Sequence, residues 1–148
     1  MSQTKQFCTF FLNGLFFGVE VLNVQEVLRH QPMTRVPLSS GTVRGLINLR
    51  GQIVTALDLR QRLELPARGA DEQPMNVVVR TADGAVSLLV DEIGDVVEMS
   101  DDIFERPPET VTGVARELVL GVYKMKERLL LILDTEKTVS LTSALKSD

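Results

Sequence analysis

The side chains that most often carry chemistry in enzymes are scarce in this chain. Cys8 is its one cysteine and His30 its one histidine, so neither an internal disulfide nor a metal site built on several such residues can form. Cys8 stands in the apolar run FCTFFL, which favours a buried, unreactive thiol. His30 lies two residues before a proline, in a stretch typical of a solvated loop. The sequence therefore predicts no catalytic nucleophile, no cofactor and no metal.

Carboxylates are the remaining groups that could do chemistry. Asp91, Glu92 and Asp95 are close in sequence, and clustered carboxylates can transfer protons or bind hard cations. In a strand, however, residues 91 and 92 point to opposite faces, and their spacing matches neither a calcium-binding loop nor a phosphate-binding loop. A carboxylate-based, metal-dependent enzyme is therefore the less favoured alternative to a binding protein without catalytic activity.

Charge is distributed unevenly along a chain whose net charge is −4. Residues 29–68 hold seven arginines against two acids, whereas residues 91–105 hold seven acids and no base. Unlike charged surfaces steer protein partners together and suit head-to-tail contacts. Nucleic acid is a poor candidate partner, because the basic stretch has no interleaved aromatic residues and the chain is acidic overall.

The elements that must position these charges are predominantly strands. Asn13-Gly14 and Asp83-Gly84 each separate two apolar runs, which indicates β-hairpins. Strands are predicted at 7–12, 15–21, 52–59, 76–81, 85–90, 93–99, 117–125 and 128–134. One helical turn leading into a strand is expected within 21–29, and a C-terminal helix is expected after Asp134 as N-cap, with the final KSD frayed. Residues 67–74 and 106–113 are predicted to be loops.

Size and hydropathy indicate one compact unit outside the membrane. The chain has 148 residues, of which 44% are hydrophobic, enough for one sizeable core. No apolar run approaches the roughly 20 residues that span a bilayer, and the first residues contain no apolar signal segment. We therefore expect a cytoplasmic protein without direct membrane insertion.

The two halves of the chain resemble each other. GLINLRGQIVTALDL (45–59) aligns without gaps on GVYKMKERLLLILDT (121–135), which places Asp58 on Asp134. Further matches follow in the same order along the chain, a pattern that favours duplication of one barrel. The predicted halves are approximately 15–66 and 75–135, with the termini packed across both.

One segment carries a resemblance to a known family. VRGLINLRGQIVTALDLRQRL (43–63) resembles the signature of CheW-like domains, in which a glycine, two residues and then N-L-R-G lead into an apolar strand that ends in D-L-R. VLNVQEV (21–27) and LLVDEIGDVVEM (88–99) resemble two further elements of that family. The match runs in family order from Phe7 to Thr138.

The resemblance implies both a fold and a role. The fold is mainly β: two intertwined, SH3-like, five-stranded β-barrels with a short C-terminal helix, in a single domain spanning 1–148. The role is that of a non-catalytic adaptor, which couples the cytoplasmic tips of methyl-accepting chemoreceptors to the regulatory domain of a CheA-type histidine kinase. The same scaffold in a pilus-type chemosensory system is the alternative within this class.

Two sets of candidate binding residues follow from the resemblance. The receptor-binding groove is expected at Val24, Glu26, Val27, Gly45, Asn48, Arg50 and Gly51, and the kinase or ring interface at Arg106, Val111, Asp58 and Arg60. Local physics leaves alternatives open, since Arg50 can bind Glu26 through two N–H groups, and Asn48 can cap a turn. Asp58 and Arg60 can brace a strand end, and Gly45 and Gly51 suit either tight turns or close backbone approach.

Overall fold

The fold is built mainly from strands. A computed structural model describes residues 3–35, 42–69, 71–82 and 84–146. The strands are β1 (Thr4–Leu12), β2 (Leu15–Glu20), β3 (Val24–Leu28), β4 (Val43–Leu49), β5 (Gln52–Asp58), β6 (Met75–Thr81), β7 (Gly84–Val90), β8 (Glu92–Ser100), β9 (Phe104–Glu105), β10 (Val119–Lys124) and β11 (Leu129–Leu133). The helices are α1 (Leu59–Arg62), α2 (Gly113–Leu118) and α3 (Thr135–Lys146), and single 3₁₀ turns occupy Val21–Asn23 and Asp101–Ile103. The predicted mainly β class is confirmed.

The strands form two mixed sheets. One has six strands in the order β8-β1-β2-β11-β10-β9, and the other has five in the order β3-β6-β7-β5-β4. In each sheet two antiparallel hairpins lie side by side, and the strands at which they meet run parallel: β2 with β11, and β5 with β7. The two-residue β9 supplies the sixth strand of the larger sheet, beyond the five that the resemblance implied.

Each half of the chain contributes strands to both sheets. The hairpin β1–β2 lies in the six-stranded sheet with β8–β11, and the hairpin β6–β7 lies in the five-stranded sheet with β3–β5. Each half therefore lends its first hairpin to the sheet formed by the other half, and the two sheets are intertwined. The 67–74 loop lies between α1 and β6, so it belongs to the connection between two strands of the five-stranded sheet, β5 and β6.

The hairpins β4–β5 and β10–β11, which the sequence aligns, have equivalent contacts. The Asp58 N–H donates to the Thr42 carbonyl over 2.7 Å, and the Asp134 N–H donates to the Leu118 carbonyl over 2.8 Å. Both aspartates also accept a backbone N–H at the start of the following helix. These repeated contacts support the duplication, which stays a prediction.

Three apolar clusters explain why so many strands are apolar on both faces. Ile47, Val54, Val78 and Leu89 belong to a cluster inside the five-stranded sheet. Phe7, Tyr123, Leu130 and Ile132 form another inside the six-stranded sheet. The largest cluster draws on both sheets and includes Phe10, Leu57, Val77 and Leu133. A strand between an inner core and this shared core has no face left for polar residues.

The elements that the sequence does not predict include α1, α2, β4 and β9. The strand predicted at 117–125 begins at Val119, because α2 precedes it and packs Val114, Ala115 and Leu118 on the shared core. The sequence does not predict β4, since Gly45 interrupts its strand pattern.

The C-terminal helix begins where the sequence predicts it. Asp134 Oδ1 accepts the Lys137 N–H over 3.0 Å, as an N-cap does. Of the residues predicted to fray, Lys146 ends α3, and Ser147 and Asp148 lie outside the described residues.

Gly45 lies inside β4, and its lack of a side chain lets another segment approach. Leu46 and Thr34 exchange two backbone hydrogen bonds of 2.8 Å, and a Cβ at Gly45 would lie 2.5 Å from the Thr34 carbonyl oxygen. We expect Gly45→Ala to lower the free energy of unfolding by about 1.5 kcal/mol, because backbone must shift to admit the methyl group. Urea denaturation measures this loss.

Gly69→Ala is the matched control for this substitution. The nearest atom to a Cβ at Gly69 is Glu72 Oε1, at 3.0 Å, on a flexible side chain that can move away. We expect Gly69→Ala to change stability by less than about 0.5 kcal/mol. Equal effects of the two substitutions would contradict the close approach at Gly45.

Candidate partner-binding site

A bidentate ion pair joins Glu26 and Arg50, the two charged residues of the predicted receptor groove. Arg50 Nη1 and Nη2 each donate to one Glu26 carboxylate oxygen over 2.8 Å, as predicted. The Arg50 side chain is 78% exposed and that of Glu26 is 17% exposed. A pair with so exposed a member contributes less than about 1 kcal/mol to folding. Glu26 therefore orients a guanidinium whose remaining surface faces solvent.

This ion pair connects opposite edges of the five-stranded sheet. Glu26 lies on β3, one edge strand, and Arg50 directly follows β4, the other edge strand. The Thr34–Leu46 bridge attaches the segment after β3 to β4 as well. The sheet therefore curls until its edges meet, which brings the predicted groove residues of β3 next to the β4–β5 turn.

The β4–β5 turn holds Arg50 in a defined position. Arg50 and Gly51 have φ values of 52° and 87°, the left-handed pair of a two-residue hairpin turn. Asn48 Oδ1 accepts the Gly51 N–H over 2.9 Å, so Asn48 caps the turn, which is the alternative that the sequence left open, and its contact with a receptor stays a prediction. Gly51 serves the turn, whereas Gly45 is buried inside β4.

The apolar residues of the predicted groove differ in the surface that they offer. Val27 is 37% exposed, while Val24 packs half-buried against the shared core. Ile53, just beyond the turn, is 60% exposed. The sequence does not single out Ile53, because an apolar residue in an apolar strand predicts burial.

Asp58 and Arg60 lie in a largely buried cluster of opposite charges. Arg60 donates to both oxygens of Asp91, through Nε over 2.9 Å and through Nη2. Arg68 donates to Asp91 through Nε over 3.1 Å, and its Nη1 lies 3.6 Å from Asp58 Oδ1. Asp58 also accepts the Arg60 N–H, which caps α1. Asp58 and Arg60 therefore brace a strand end, which is one of the alternatives that the sequence left open. Their contact with a kinase stays a prediction.

Asp91 connects segments that are distant in sequence. Besides the two arginines, its carboxylate accepts the Asn13 N–H of the β1–β2 turn over 2.8 Å. Burial alone raises the pKa of Asp91, but hydrogen bonds from Arg60, Asn13 and Arg68 outweigh it and hold that pKa below its ordinary value. The carboxylate is thus ionised and already surrounded by the donors of the protein itself, which suits a structural role rather than metal binding.

The other carboxylates of the enzyme alternative, Glu92 and Asp95, are exposed on β8. Within ranges 3–35, 42–69, 71–82 and 84–146, no group of three or more His, Cys, Asp and Glu residues could hold a metal ion. None of the helices in this part of the chain combines the length and apolarity that crossing a bilayer requires.

Arg106 and Val111 lie in the loop between β9 and α2. Arg106 is exposed, and Val111 is half-buried against the shared core. Arg116 Nη1 donates to the carbonyls of Pro108 and Val111 over 3.0 Å each, so α2 fixes the loop conformation. Sequence reasoning misses Arg116, because nothing in its local pattern distinguishes it from a solvated helix residue.

The chain belongs to the CheW-like family. The family model for the CheW-like domain matches residues 6–143, a range that includes all but the first two residues of the sheets, the Glu26–Arg50 pair and the loop of Arg106.

Individual relatives agree with this assignment. The chain is 29% identical over 136 residues to the chemotaxis protein CheW of Klebsiella aerogenes, covering 92% of this chain and 82% of that protein. The crystal structure of the scaffolding protein TtCheW from Thermoanaerobacter tengcongensis superposes with a TM-score of 0.82 at 26% identity, covering 92% of both chains. Protein PilI of Pseudomonas aeruginosa is 25% identical over 118 residues, covering 80% of this chain and 66% of PilI.

Proposed function

We propose that this chain is a cytoplasmic, non-catalytic adaptor that couples methyl-accepting chemoreceptors to a CheA-type histidine kinase in chemotaxis. The observation that carries the proposal is the CheW-like match over residues 6–143. The names of its relatives, a chemotaxis protein and a scaffolding protein, describe the same kind of role.

The receptor site in this proposal is the surface around Arg50. An exposed guanidinium, oriented by Glu26, lies where the two edges of the five-stranded sheet meet. Val27 and Ile53 add exposed apolar surface on β3 and β5. A helical receptor tip can dock with spaced apolar anchors, while an acidic side chain of the tip pairs with Arg50.

The kinase or ring interface in this proposal includes the loop of Arg106 and Val111. Arg106 offers an exposed cation, and Arg116 holds the loop that carries it. Asp58 and Arg60 are largely buried and contribute to this interface indirectly, because they fix the end of β5 and the start of α1. The partner is the regulatory domain of the kinase.

The mechanism requires binding and orientation rather than chemistry. A chain that holds receptor and kinase together raises their effective concentration. A change in the receptor can reach the kinase if the chain keeps a fixed orientation to both. The shared core and the ion pairs of Asp91 link the two sheets and can keep that orientation.

A pilus-type system remains the second member of this class. PilI is a more distant relative than the CheW of Klebsiella aerogenes, at 25% against 29% identity. No contact in the described residues favours the pilus role, so chemotaxis is the proposed pathway.

A titration of the chain into fixed amounts of receptor and kinase tests the adaptor. We expect receptor-dependent autophosphorylation of the kinase to rise, pass through an optimum and fall, because excess adaptor occupies each partner separately. Radiolabelled phosphate on the kinase measures the response at each concentration.

Two controls separate a bridge from an enzyme. The chain alone should neither hydrolyse ATP nor transfer phosphate, and kinase without receptor should show no optimum. Turnover by the chain alone, or activation that rises steadily without regard to stoichiometry, would count against the proposal.

A further inference from the structure

A cavity of about 390 Å³ opens in the six-stranded sheet, which does not carry the Glu26–Arg50 pair. Its lining includes the rings of Phe7, Phe104 and Tyr123. Tyr123 packs against Phe7 with ring centroids 5.6 Å apart and against Phe104 at 5.0 Å. The cavity therefore has a wall of three aromatic side chains in tilted contact with one another.

Negative charge dominates the polar lining of this cavity. Glu20, Asp101, Asp134 and Glu136 line it against a single cation, Lys5. Lys5 is committed to Glu20, with its Nζ 3.4 Å from Glu20 Oε1. The Asp101 carboxylate has no hydrogen bond or ion pair to any residue that the structure describes. The excess of carboxylates in the lining therefore favours the binding of a cation.

One buried polar group of the cavity lacks a partner among the described residues. Thr135 lines the cavity and is 6% exposed, and its Oγ1 has no hydrogen-bond partner among the described residues. An orphaned buried hydroxyl costs free energy unless a ligand or solvent satisfies it. Burial, followed by the charges of Asp101 and Glu20, raises the pKa of Tyr123, so its hydroxyl stays neutral beside these acids.

Exposed apolar residues surround the cavity. Leu120 and Phe104, which line it, are 54% and 40% exposed. Ile103 and Leu22, next in sequence to lining residues, are 50% and 85% exposed. Large apolar residues gathered around a charged cavity are typical of a protein-binding surface.

We propose that this cavity binds the guanidinium group of an arginine side chain from a partner protein, whose neighbouring apolar residues cover Leu22 and Leu120. A guanidinium is planar, stacks on aromatic rings and donates several hydrogen bonds to carboxylates. Phe104, which is 40% exposed, supplies the accessible ring, with the buried Tyr123 packed behind it, and Asp101 supplies the uncommitted carboxylate. The proposal concerns a surface separate from Arg50 and holds whether or not the receptor site is correct.

N-acetyl-arginine amide is the probe for this site, and the uncharged N-acetyl-citrulline amide is its isostere. In ¹H–¹⁵N NMR titrations we expect saturable shifts of the Phe104, Tyr123 and Thr135 amides with the arginine probe. The citrulline probe should bind at least about tenfold more weakly, because a charge-assisted hydrogen bond is replaced by a neutral one. Asp101→Asn should weaken the arginine probe by about fivefold.

Glu127→Gln is the matched control, since it removes the same charge from an exposed residue of the β10–β11 turn that does not line the cavity. It should leave the affinity within about twofold. Equal binding of both probes, equal losses in Asp101→Asn and Glu127→Gln, or no shift of the cavity amides up to about 50 mM probe would each overturn the proposal. A dispersed spectrum confirms that each variant is folded.

Discussion

Asp91→Asn is expected to lower the free energy of unfolding by about 3 kcal/mol, because removal of one partner leaves buried charges uncompensated. The side chains of Arg60 and Arg68 are 11% and 8% exposed, and both donate to Asp91. Asparagine keeps the size of aspartate and can still accept the Asn13 N–H. The loss of stability therefore measures the effect of removing the negative charge. In a chain of this length the loss corresponds to roughly 10 °C in Tm, which thermal denaturation measures.

Glu92→Gln controls for the loss of one negative charge. Glu92 adjoins Asp91 in sequence but is exposed, so the substitution should change stability by less than about 0.5 kcal/mol. If Asp91→Asn cost no more than Glu92→Gln, the buried cluster would not contribute to holding the sheets together.

The difference in stability between wild type and Asp91→Asn should depend on pH, and the sign of this dependence follows from the pKa of Asp91. The pKa of Asp91 in the folded state lies below its ordinary value, so the unfolded state binds this proton more readily. The contribution of Asp91 is therefore complete above an ordinary carboxyl pKa of about 4 and is lost as pH falls through the lower folded pKa. The stability gap between wild type and Asp91→Asn should be constant near neutrality and close below about pH 4.

Local signals predict much of this fold. Asn13-Gly14 specifies a hairpin because its residues adopt positive φ at low cost, and both do so, at 50° and 79°. Asp134 predicts the start of α3 through the hydrogen bond that its side chain makes within one turn. Such features depend on residues within a few positions of each other, which is what a sequence pattern records.

Contacts between distant segments account for what the sequence does not predict. Arg60 and Asp91 are 31 positions apart, and they meet because β5 and β7 run parallel in one sheet. Nothing in the local pattern marks Arg68 or Arg116 as different from solvated arginines. Gly45 reads as a possible turn, yet it lies in β4 because the Thr34 segment returns to pair with that strand.

The sequence predicts only part of the candidate receptor site, because the rest depends on contacts between distant segments. The pairing of Glu26 with Arg50 follows from the resemblance and from the chemistry of a guanidinium, and the contact is present. The exposure of Ile53 depends on the position of β5 in the curled sheet, and the sequence pattern therefore gives no sign of it.

Arg50→Asn is expected to weaken receptor binding by about 2 kcal/mol, or roughly thirtyfold in Kd, and to leave kinase binding unchanged. Asparagine accepts the positive φ of 52° at this turn position, so the substitution removes the guanidinium without straining the hairpin. The free energy of unfolding should change by less than about 1 kcal/mol, since the lost ion pair is exposed. Calorimetric titrations against a receptor cytoplasmic fragment and against the kinase regulatory domain measure the two affinities.

The charge swap Glu26→Arg/Arg50→Glu separates contact with the receptor from local bracing. The swap can restore an ion pair between β3 and the β4–β5 turn, although glutamate at position 50 must adopt the positive φ that arginine has there. If Arg50 touches an acidic receptor side chain, the swapped protein places a carboxylate against that acid and still fails to bind. Recovery of receptor binding in the swap would instead show that the pair acts only by joining the two edges of the sheet. Equal loss of receptor and kinase binding with a lowered Tm would show the same, because a displaced turn would affect every surface that depends on it.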